Sequence, residues 1–184
     1  MIEGKKVLAV IPARGGSKRV PMKNLTLYKG KGLIQWAMEH ASNSKYIDKW
    51  VVSTEDDAIA DHAGDHLLRR PDFLATDRAS SESVLVHALY VLLPENYDFA
   101  VLLQPTSPER IPEDIEKCIE AATRLDGYAS FHGCVSYNEH GKRNGAVYVV
   151  NVKHFLSTLS FDATHHYMMP MERSLDIDYV WEFK

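Results

Sequence analysis

The sequence is poor in features that mark several classes of protein. Its 184 residues include only two cysteines, Cys118 and Cys134, which form no CxxC pair, so neither a disulfide scaffold nor a cysteine-based metal site is expected. No apolar run approaches the roughly 20 residues of a membrane-spanning helix, and the amino terminus leads into a strand pattern rather than a signal peptide. We therefore expect a cytoplasmic protein with two buried or chemically idle thiols.

A general excess of positive charge is also missing. The chain has 21 basic and 25 acidic residues and a net charge of −4, so neither nucleic acid nor a membrane surface is expected as a partner. Positive charge is instead concentrated around one glycine-bearing loop in the first third of the chain. The residues concerned are Lys5, Lys6, Arg14, Lys18, Arg19, Lys23, Lys29 and Lys31. This asymmetry indicates that the loop binds a small polyanion.

Strand-like and helix-like patterns alternate along the chain. With 45% hydrophobic and 25% charged residues, the composition is that of a globular protein, and the length favours a single domain over residues 1–184. Strands are predicted at residues 6–12, 50–53, 66–69, 99–103, 128–131 and 146–151, and helices at 33–41, 56–63, 83–93 and 112–124. This order predicts an open, mostly parallel α/β sheet, whose ligand crevice lies beyond the carboxyl ends of the strands. The polar segment 132–144 is predicted to be a long loop over that crevice.

The segment A-R-G-G-S-K-R at residues 13–19 directly follows the first predicted strand. Paired glycines let backbone N–H groups approach phosphate without obstruction, and Arg14, Lys18 and Lys23 can neutralise its charge. The segment matches neither the P-loop nor the G-x-G-x-x-G dinucleotide motif. A glycine turn with a solvated basic face is the alternative interpretation.

Near the carboxyl terminus, Asp176 and Asp178 form a D-x-D pair. In an extended segment this spacing places both carboxylates on one side, and hard oxygen ligands suit Mg²⁺. An acidic surface turn is the alternative. The pair His62 and His66 lies at helical spacing but lacks the glutamate of H-E-x-x-H, so a solvated helix face is expected there.

Six segments, in order, resemble the N-acylneuraminate cytidylyltransferases, the CMP-sialic acid synthetases and their relatives acting on other nonulosonic acids. They are I-P-A-R-G-G-S-K-R-V-P-M-K-N at 11–24, R-P-D-F-L-A at 70–75, A-S-S at 79–81, L-L-Q-P-T-S-P-E-R at 102–110, N-G-A-V-Y at 144–148 and S-L-D-I-D at 174–178. The resemblance covers nearly the whole chain. It implies a three-layer αβα, Rossmann-like fold of the nucleotide-diphospho-sugar transferase type. It also implies transfer of CMP from CTP to an acidic 2-keto sugar, with release of pyrophosphate.

The resemblance further implies roles for individual residues. Nucleotide contacts are expected from Ala13, Arg14, Gly15, Ser17, Lys23, Asn24, Arg70, Ala79 and Ser81. Of these, Arg14, Ser17 and Lys23 are expected to contact the phosphates and Asn24 the nucleoside. Arg70, Ala79 and Ser81 are expected to contact the cytosine. Asp176 and Asp178 are the implied Mg²⁺ ligands, and Arg14, Lys23 and Asp178 the implied catalytic residues. Gln104, Arg143 and Asn144 are the implied acceptor contacts. For Arg70, a surface salt bridge is the alternative, since the neighbouring Arg69 could take either role.

One region departs from the family pattern. Between the strand near residue 128 and Asn144, family members usually carry a longer segment that helps to recognise the acceptor and to form a dimer, and they usually continue further beyond the D-x-D pair. The chain is therefore expected to be a shortened member, for which a homodimer is less certain. A smaller acidic acceptor, such as another 2-keto acid or a phosphonate, and a catalytically silent CTP-binding homologue remain the alternatives.

Overall fold

A computed structural model of the chain describes residues 1–123 and 133–183. The strands are β1 (Val7–Pro12), β2 (Leu27–Tyr28), β3 (Lys31–Gly32), β4 (Lys49–Thr54), β5 (Leu67–Arg69), β6 (Phe99–Leu102), β7 (Gly133–Tyr137), β8 (Arg143–Asn151) and β9 (His165–Met168). The α-helices are α1 (Leu33–Asn43), α2 (Asp57–Ala63), α3 (Ser81–Val91), α4 (Pro112–Thr123) and α5 (Val152–Thr158). Among the described residues, no helix has the length and apolar character needed to cross a bilayer.

Seven strands form one sheet in the order β5-β4-β1-β6-β8-β7-β9. The pairs β5–β4, β4–β1, β1–β6 and β7–β9 are parallel, whereas β8 is antiparallel to both of its neighbours, β6 and β7. The strands β2 and β3 form a separate antiparallel hairpin. The predicted open and mostly parallel sheet is confirmed, with β8 as the reversed strand.

The central strand β1 is covered on both faces. Val7, Ala9 and Ile11 pack into one core with α1, α2 and α4, while Leu8 and Val10 pack into a second core with α3 and α5. All five side chains are fully buried, which explains why this strand reads as a continuous apolar run. The predicted three-layer αβα architecture is therefore confirmed.

Local capping fixes where the site-forming helices begin. The Asp56 carboxylate accepts a hydrogen bond from the Ile59 N–H at 2.9 Å and caps α2. The Ser80 hydroxyl accepts one from the Ser83 N–H at 3.2 Å and caps α3. Each cap satisfies an N–H that the helix leaves without a partner. Both helices therefore begin at the carboxyl edge of the sheet, close to the crevice described below.

The prediction of a long loop at residues 132–144 is wrong for its described part. Residues Gly133–Tyr137 form β7, and Arg143 already begins β8, so a tight turn joins two paired strands. Glu139, His140 and Lys142 are exposed in the turn, whereas Ser136 and Asn144 are buried. The Ser136 hydroxyl donates to Asn144 Oδ1 at 2.6 Å and accepts from the Val147 N–H at 2.9 Å. The helix α5 and the strand β9 were not predicted, and the predicted strand at residues 128–131 lies outside the described residues.

The two cysteines lie in the interior. Cys118 on α4 and Cys134 on β7 are free thiols with no exposed surface, as the expectation of buried thiols requires. Burial raises the pKa of the Cys118 thiol, with a further contribution from the neighbouring Cys134. Neither lines the crevices that contain the candidate site.

Candidate functional site

Two adjoining crevices open at the carboxyl edge of the sheet, where the segments after β1, β5 and β6 meet and the loop after β4 packs against them. The first, here called the Arg70 crevice, has a lining that includes Arg14, Lys23, Asn24, Arg70, Asp77, Ala79, Ser81 and Gln104. The second, the Asp178 crevice, is lined by Arg14, Ser17, Lys18, Arg19, Lys23, Asn24, Asp77 and Asp178. Arg14, Lys23, Asn24 and Asp77 belong to both linings. The basic loop near the amino terminus and the acidic pair near the carboxyl terminus therefore meet in one place.

An acidic side chain faces the cations of the basic loop. Arg14 Nη1 donates to Asp77 Oδ1 at 2.7 Å, and the Lys18 ammonium forms an ion pair with the other oxygen of the same carboxylate. Hydrogen bonds from Lys18 and then Arg14 hold the pKa of Asp77 below its ordinary value. Asp77 thus occupies, as an anion, the position in which these cations could meet a phosphate.

The backbone of the loop turns partly away from the crevices. The Ala13 N–H donates to the Ser53 carbonyl at 3.0 Å, which continues the pairing of β1 with β4. The Gly15 N–H donates to Glu55 Oε1 at 2.8 Å. A Cβ on Gly15 would lie 2.2 Å from Asp56 Oδ2, whereas one on Gly16 would meet nothing within 4 Å. Gly15 therefore serves close packing against the β4–α2 connection, and Ala13 does not line either crevice.

Lys23 and Asn24 join the loop to its surroundings. Lys23 Nζ lies 3.0 Å from Asp178 Oδ1 and donates to the Ile177 carbonyl at 3.2 Å. The Asn24 side-chain amide donates to the Arg14 carbonyl at 2.9 Å, and the residue is buried. Lys23 thereby connects the basic loop to the acidic pair, while Asn24 fixes the loop conformation.

The D-x-D segment has the alternation expected of an extended chain. Ile177 is fully buried and its N–H donates to the Thr106 carbonyl at 2.8 Å, so the two flanking aspartates point the other way. Asp178 Oδ2 accepts from Arg19 at 2.9 Å and its Oδ1 from Lys23. Asp176 lines neither crevice and keeps an exposed surface. Desolvation of its carboxylate, together with Asp178, raises its pKa against the opposing hydrogen bond from Thr106.

The acidic pair offers only part of a metal coordination shell. No group of three or more His, Cys, Asp or Glu side chains that could hold a metal occurs within residues 1–123 and 133–183. Two carboxylates beside the cations of the basic loop nevertheless fit Mg²⁺, which prefers oxygen ligands, keeps several waters and takes further ligands from phosphates. Desolvation and then Asp178 raise the pKa of Asp176, and a bound cation would favour its ionised form.

The structure separates the roles of the two neighbouring arginines. The side chain of Arg70 is 4% exposed and lies in the Arg70 crevice, where its Nε and Nη2 donate to Glu55 Oε2 at 3.1 and 3.0 Å. The side chain of Arg69 is 48% exposed and pairs with Asp57 on the surface. The surface salt bridge considered for Arg70 is therefore made by Arg69.

The predicted acceptor residues occupy different environments. Gln104 lines the Arg70 crevice, and its Oε1 would lie 2.8 Å from a Cβ on Gly145, a position where φ is +75° and only glycine fits easily. Asn144 is buried, and its amide donates to Met169 Sδ and to Ser174 Oγ, tying β8 to the segment before the D-x-D pair. Arg143 is exposed and donates to Asp162 at 3.1 Å. Gln104 thus lines the site, while Asn144 supports it and Arg143 lines neither crevice.

Two residues at the site, Glu55 and Asp77, were not predicted, and Thr106 and Arg19 were predicted only as members of their segments, without a role of their own. Glu55 follows β4 at the carboxyl edge of the sheet. The rule that ligands bind beyond the carboxyl ends of the strands located the other loops, so the position of Glu55 alone could have indicated that it belongs to the site. Thr106 and Arg19 lie inside segments already singled out for other residues. For Asp77 the sequence holds no signal, because its role depends on which cations the fold brings near it.

The fold and the paired crevices define an α/β protein with a basic site at the carboxyl edge of its sheet. The family model described as cytidylyltransferase matches residues 8–150. N-acylneuraminate cytidylyltransferase of Escherichia coli O18:K1:H7 is 34% identical over 97% of this chain and 51% of its own length. Pseudaminic acid cytidylyltransferase of Campylobacter jejuni serotype O:2 is 34% identical over 88% of this chain and 74% of its own length.

The fold is also that of solved relatives. The structure of CMP:2-keto-3-deoxy-manno-octonic acid synthetase complexed with CTP has a TM-score of 0.61 and 24% identity, and the match covers 72% of this chain and 52% of that one. The chain belongs to the cytidylyltransferase family. It spans about half the length, 51%, of the first of these curated relatives.

Proposed function

We propose that this protein is a cytidylyltransferase that transfers CMP from CTP to an acidic 2-keto sugar of the sialic-acid type and releases pyrophosphate. The observation that carries the proposal is that Arg14 and Asp178 line one crevice, which adjoins the crevice lined by Arg70. Membership of the cytidylyltransferase family supports the nucleotide, and relatives named for N-acylneuraminate and pseudaminic acid support the class of acceptor.

In this proposal the nucleotide spans both crevices. Its triphosphate lies at Arg14, Ser17, Lys18 and Lys23, where it replaces the Asp77 carboxylate as the partner of Arg14 and Lys18. Its cytosine lies near Arg70, Ala79 and Ser81. Planar guanidinium and compact ammonium groups together suit phosphate oxygens and can stabilise the charge that develops on departing pyrophosphate.

Asp178, which lines the Asp178 crevice, and Asp176, which lines neither crevice, would together hold Mg²⁺. When bound, the ion supplies neutralisation of the phosphate charge at the reacting centre. Asp178 would then contact the ion instead of Lys23 and Arg19, so that both cations could contact phosphate oxygens. The structure thus supports an arrangement in which ion pairs of the ligand-free site are redistributed when nucleotide and metal arrive together.

The acceptor is proposed to enter beside Gln104. Its anomeric hydroxyl attacks the α-phosphorus in line and forms a new oxygen–phosphorus bond. The bond between the α-phosphorus and the oxygen that bridges to the β-phosphorus breaks, its electron pair leaves with pyrophosphate, and the hydroxyl gives its proton to water. The Gln104 amide can orient the acceptor but cannot act as a base at neutral pH. Asn144 supports the adjoining strand, and Arg143 reaches the acceptor carboxylate by leaving Asp162. Positioning and charge stabilisation would supply most of the rate.

A pyrophosphate-release assay tests the proposal. The wild-type protein with CTP and Mg²⁺ is offered N-acylneuraminate, pseudaminic acid and 2-keto-3-deoxy-manno-octonic acid, with Asp178→Ala as the inactive control. We expect release with at least one nonulosonic acid. Release with UTP or ATP at the same rate as with CTP would contradict the assignment of the base.

The arrangement of the acceptor side favours a second candidate within the same class. Of the three implied acceptor residues, Gln104 alone lines either of the two crevices described above. A smaller acidic acceptor, either a simple 2-keto acid or a phosphonate, needs fewer contacts than a nine-carbon sugar. Adding these acids to the same panel separates the candidates. A silent CTP-binding homologue would bind CTP in a calorimetric titration and release no pyrophosphate with any acid.

Assembly and location are proposed on the same basis. A homodimer is implied by the resemblance alone, and sedimentation of the purified chain tests it. A cytoplasmic location fits an enzyme that draws on CTP, and fractionation of cells expressing the tagged protein tests that assignment.

A further inference from the structure

Glu55 is a charged residue at the site to which the proposed reaction assigns no role. It is the first residue after β4, and its side chain is 16% exposed. Its two carboxylate oxygens have different partners. Oε1 accepts from the Gly15 N–H at 2.8 Å, and Oε2 accepts from Nε and Nη2 of Arg70 at 3.1 and 3.0 Å. One side chain therefore joins the basic loop to the arginine of the neighbouring crevice.

The contact to Arg70 satisfies a buried charge. A guanidinium that is largely withdrawn from water needs a hydrogen-bonded counter-charge, because burial of an unpaired ion is costly. Burial lowers the pKa of Arg70, and Glu55 acts in the opposite direction. The carboxylate engages Nε and Nη2, which fixes the plane of the guanidinium and leaves Nη1 outside this pair of hydrogen bonds. The orientation of Arg70 toward the crevice is therefore set by Glu55.

The contact to Gly15 fixes the basic loop. A Cβ at Gly15 would overlap the Asp56 side chain, so the loop and the β4–α2 connection are already in close contact at this point. The hydrogen bond from the Gly15 N–H to Glu55 ties the two together just before Ser17 and Lys18, which line the Asp178 crevice. A shift of Glu55 would move the loop and Arg70 together.

A neighbouring ion pair at the same edge of the sheet provides a comparison. Arg69, the residue before Arg70, pairs with Asp57, two residues after Glu55, and their side-chain exposures are 48% and 91%. Neither residue lines either crevice. Each pair joins an arginine at the end of β5 to a carboxylate near the β4–α2 connection, and the two pairs differ in burial and in contact with the site.

We propose that Glu55 is a positioning residue for nucleotide binding, which sets the basic loop and the Arg70 guanidinium at a fixed distance from each other. This inference rests on the proposed function, since the ligand spanning both groups is taken to be CTP. It concerns affinity more than chemistry, because Glu55 contacts groups that hold the nucleotide and none of the aspartates assigned to the metal.

The test is a comparison of Glu55→Gln with Asp57→Asn. A glutamine keeps the size of the side chain but offers one acceptor oxygen, so it cannot retain both contacts. We expect the Kd for CTP, measured by calorimetry with Mg²⁺ present, to rise about tenfold in Glu55→Gln, equivalent to about 1.4 kcal/mol. The KM for CTP should rise in parallel, while kcat at saturating CTP should fall by less than about threefold, the pattern of lost uniform binding. Asp57→Asn should match the wild type.

A double variant separates positioning from a general effect on the fold. In the Arg70→Lys background, Glu55→Gln should weaken CTP binding by a smaller factor than in the wild type, because the two residues act as a unit. If Glu55→Gln does not fold, Glu55→Asp, which keeps the charge, is compared with Asp57→Asn in the same way.

The outcomes distinguish this inference from the proposed function. Equal CTP affinity in Glu55→Gln and Asp57→Asn, or additive effects with Arg70→Lys, would overturn the role of Glu55 while leaving the cytidylyltransferase intact. Absence of CTP binding in the folded wild-type protein would overturn both.

Discussion

The two sides of the candidate site are held by different kinds of contact. On the proposed nucleotide side, basic and acidic side chains pair across the crevices: Arg14 with Asp77, Lys23 with Asp178, and Arg70 with Glu55. On the proposed acceptor side, a buried arginine stabilises the loop that carries Gln104. Arg110 is fully buried and donates to the carbonyls of Gln104 and Ala146.

This difference indicates what each side can do when a ligand arrives. The Arg14–Asp77 and Lys23–Asp178 pairs lie at a partly exposed edge and can exchange one anion for another, so Asp77 and Asp178 prepare the nucleotide side for a polyanion. The buried pair of Arg70 and Glu55 stays in place. Arg110 instead donates to backbone carbonyls, and these contacts cannot be exchanged for an anion in the same way. We infer that the acceptor side changes less on binding, and the following predictions test the contrast in order of expected effect.

The largest effect is expected on the nucleotide side, from Lys23→Ala. This change removes a cation that contacts Asp178 and is proposed to meet the phosphates, so kcat should fall by about a hundredfold, equivalent to about 2.7 kcal/mol. A pyrophosphate-release assay measures this fall in kcat. Lys5→Ala is the matched control, because Lys5 is exposed and pairs with Asp98 at the amino end of β1. Equal activity in the two variants would remove Lys23 from the machinery.

The second effect concerns the packing of the basic loop. A methyl group at Gly15 would lie 2.2 Å from Asp56 Oδ2, and Asp56 cannot move away without losing its cap on α2. Gly15→Ala should therefore lower the free energy of unfolding by about 1–3 kcal/mol, as overpacking usually does. Gly16→Ala, which meets nothing within 4 Å, should change it by less than about 0.5 kcal/mol. Urea unfolding gives both values, and similar losses would show that the loop is not packed as described.

The third effect is a pH dependence of the free energy of unfolding, caused by His40. His40 is buried on α1, and burial, together with the charges of Arg110 and Lys31, lowers its pKa from 6.5 to about 3. Because the unfolded chain binds this proton more readily, stability is lost as the pH falls below about 6.5, with a slope of up to about 1.4 kcal/mol per pH unit.

His40→Leu tests this dependence. Between pH 7 and pH 5 the free energy of unfolding should fall less in His40→Leu than in the wild type, whereas His62→Gln on the exposed face of α2 should follow the wild type. Parallel profiles for the wild type and His40→Leu would show that His40 is not responsible.

The smallest effect is expected at the ion pair of Arg143 and Asp162, an exchangeable pair on the acceptor side. Asp162 competes with an acceptor carboxylate for Arg143. Asp162→Asn should lower the KM for the acceptor by about two- to threefold, since exposed ion pairs are weak. Arg143→Ala should raise that KM. An unchanged KM in both variants would leave Gln104 as the acceptor contact and remove Arg143.

The nucleotide side could largely be predicted from the sequence for a physical reason. The loops after β1, β4 and β6 follow buried parallel strands, whose carboxyl ends must meet at one edge. The alternation of Asp176, Ile177 and Asp178 likewise follows from the period of an extended chain, with Ile177 in the core. Local patterns were sufficient in both cases.

The parts that could not be predicted depend on pairing between distant segments. The hairpin of β7 and β8 reads as a loop because Ser136 and Asn144 are polar, and only their mutual hydrogen bond makes burial possible. The partners of Glu55, Asp77 and Arg143 are likewise set by the fold, since each pair joins residues on different elements. Sequence patterns locate such residues but do not pair them.

The central claim is that the basic loop and the acidic pair hold one metal-bound nucleotide between them. Calorimetric titration of CTP with and without Mg²⁺, into the wild type and into the Asp176→Asn/Asp178→Asn double variant, tests it most directly. We predict that Mg²⁺ tightens CTP binding to the wild type by about tenfold or more and leaves the affinity of the folded double variant unchanged. An equal effect of Mg²⁺ on both proteins would contradict the claim.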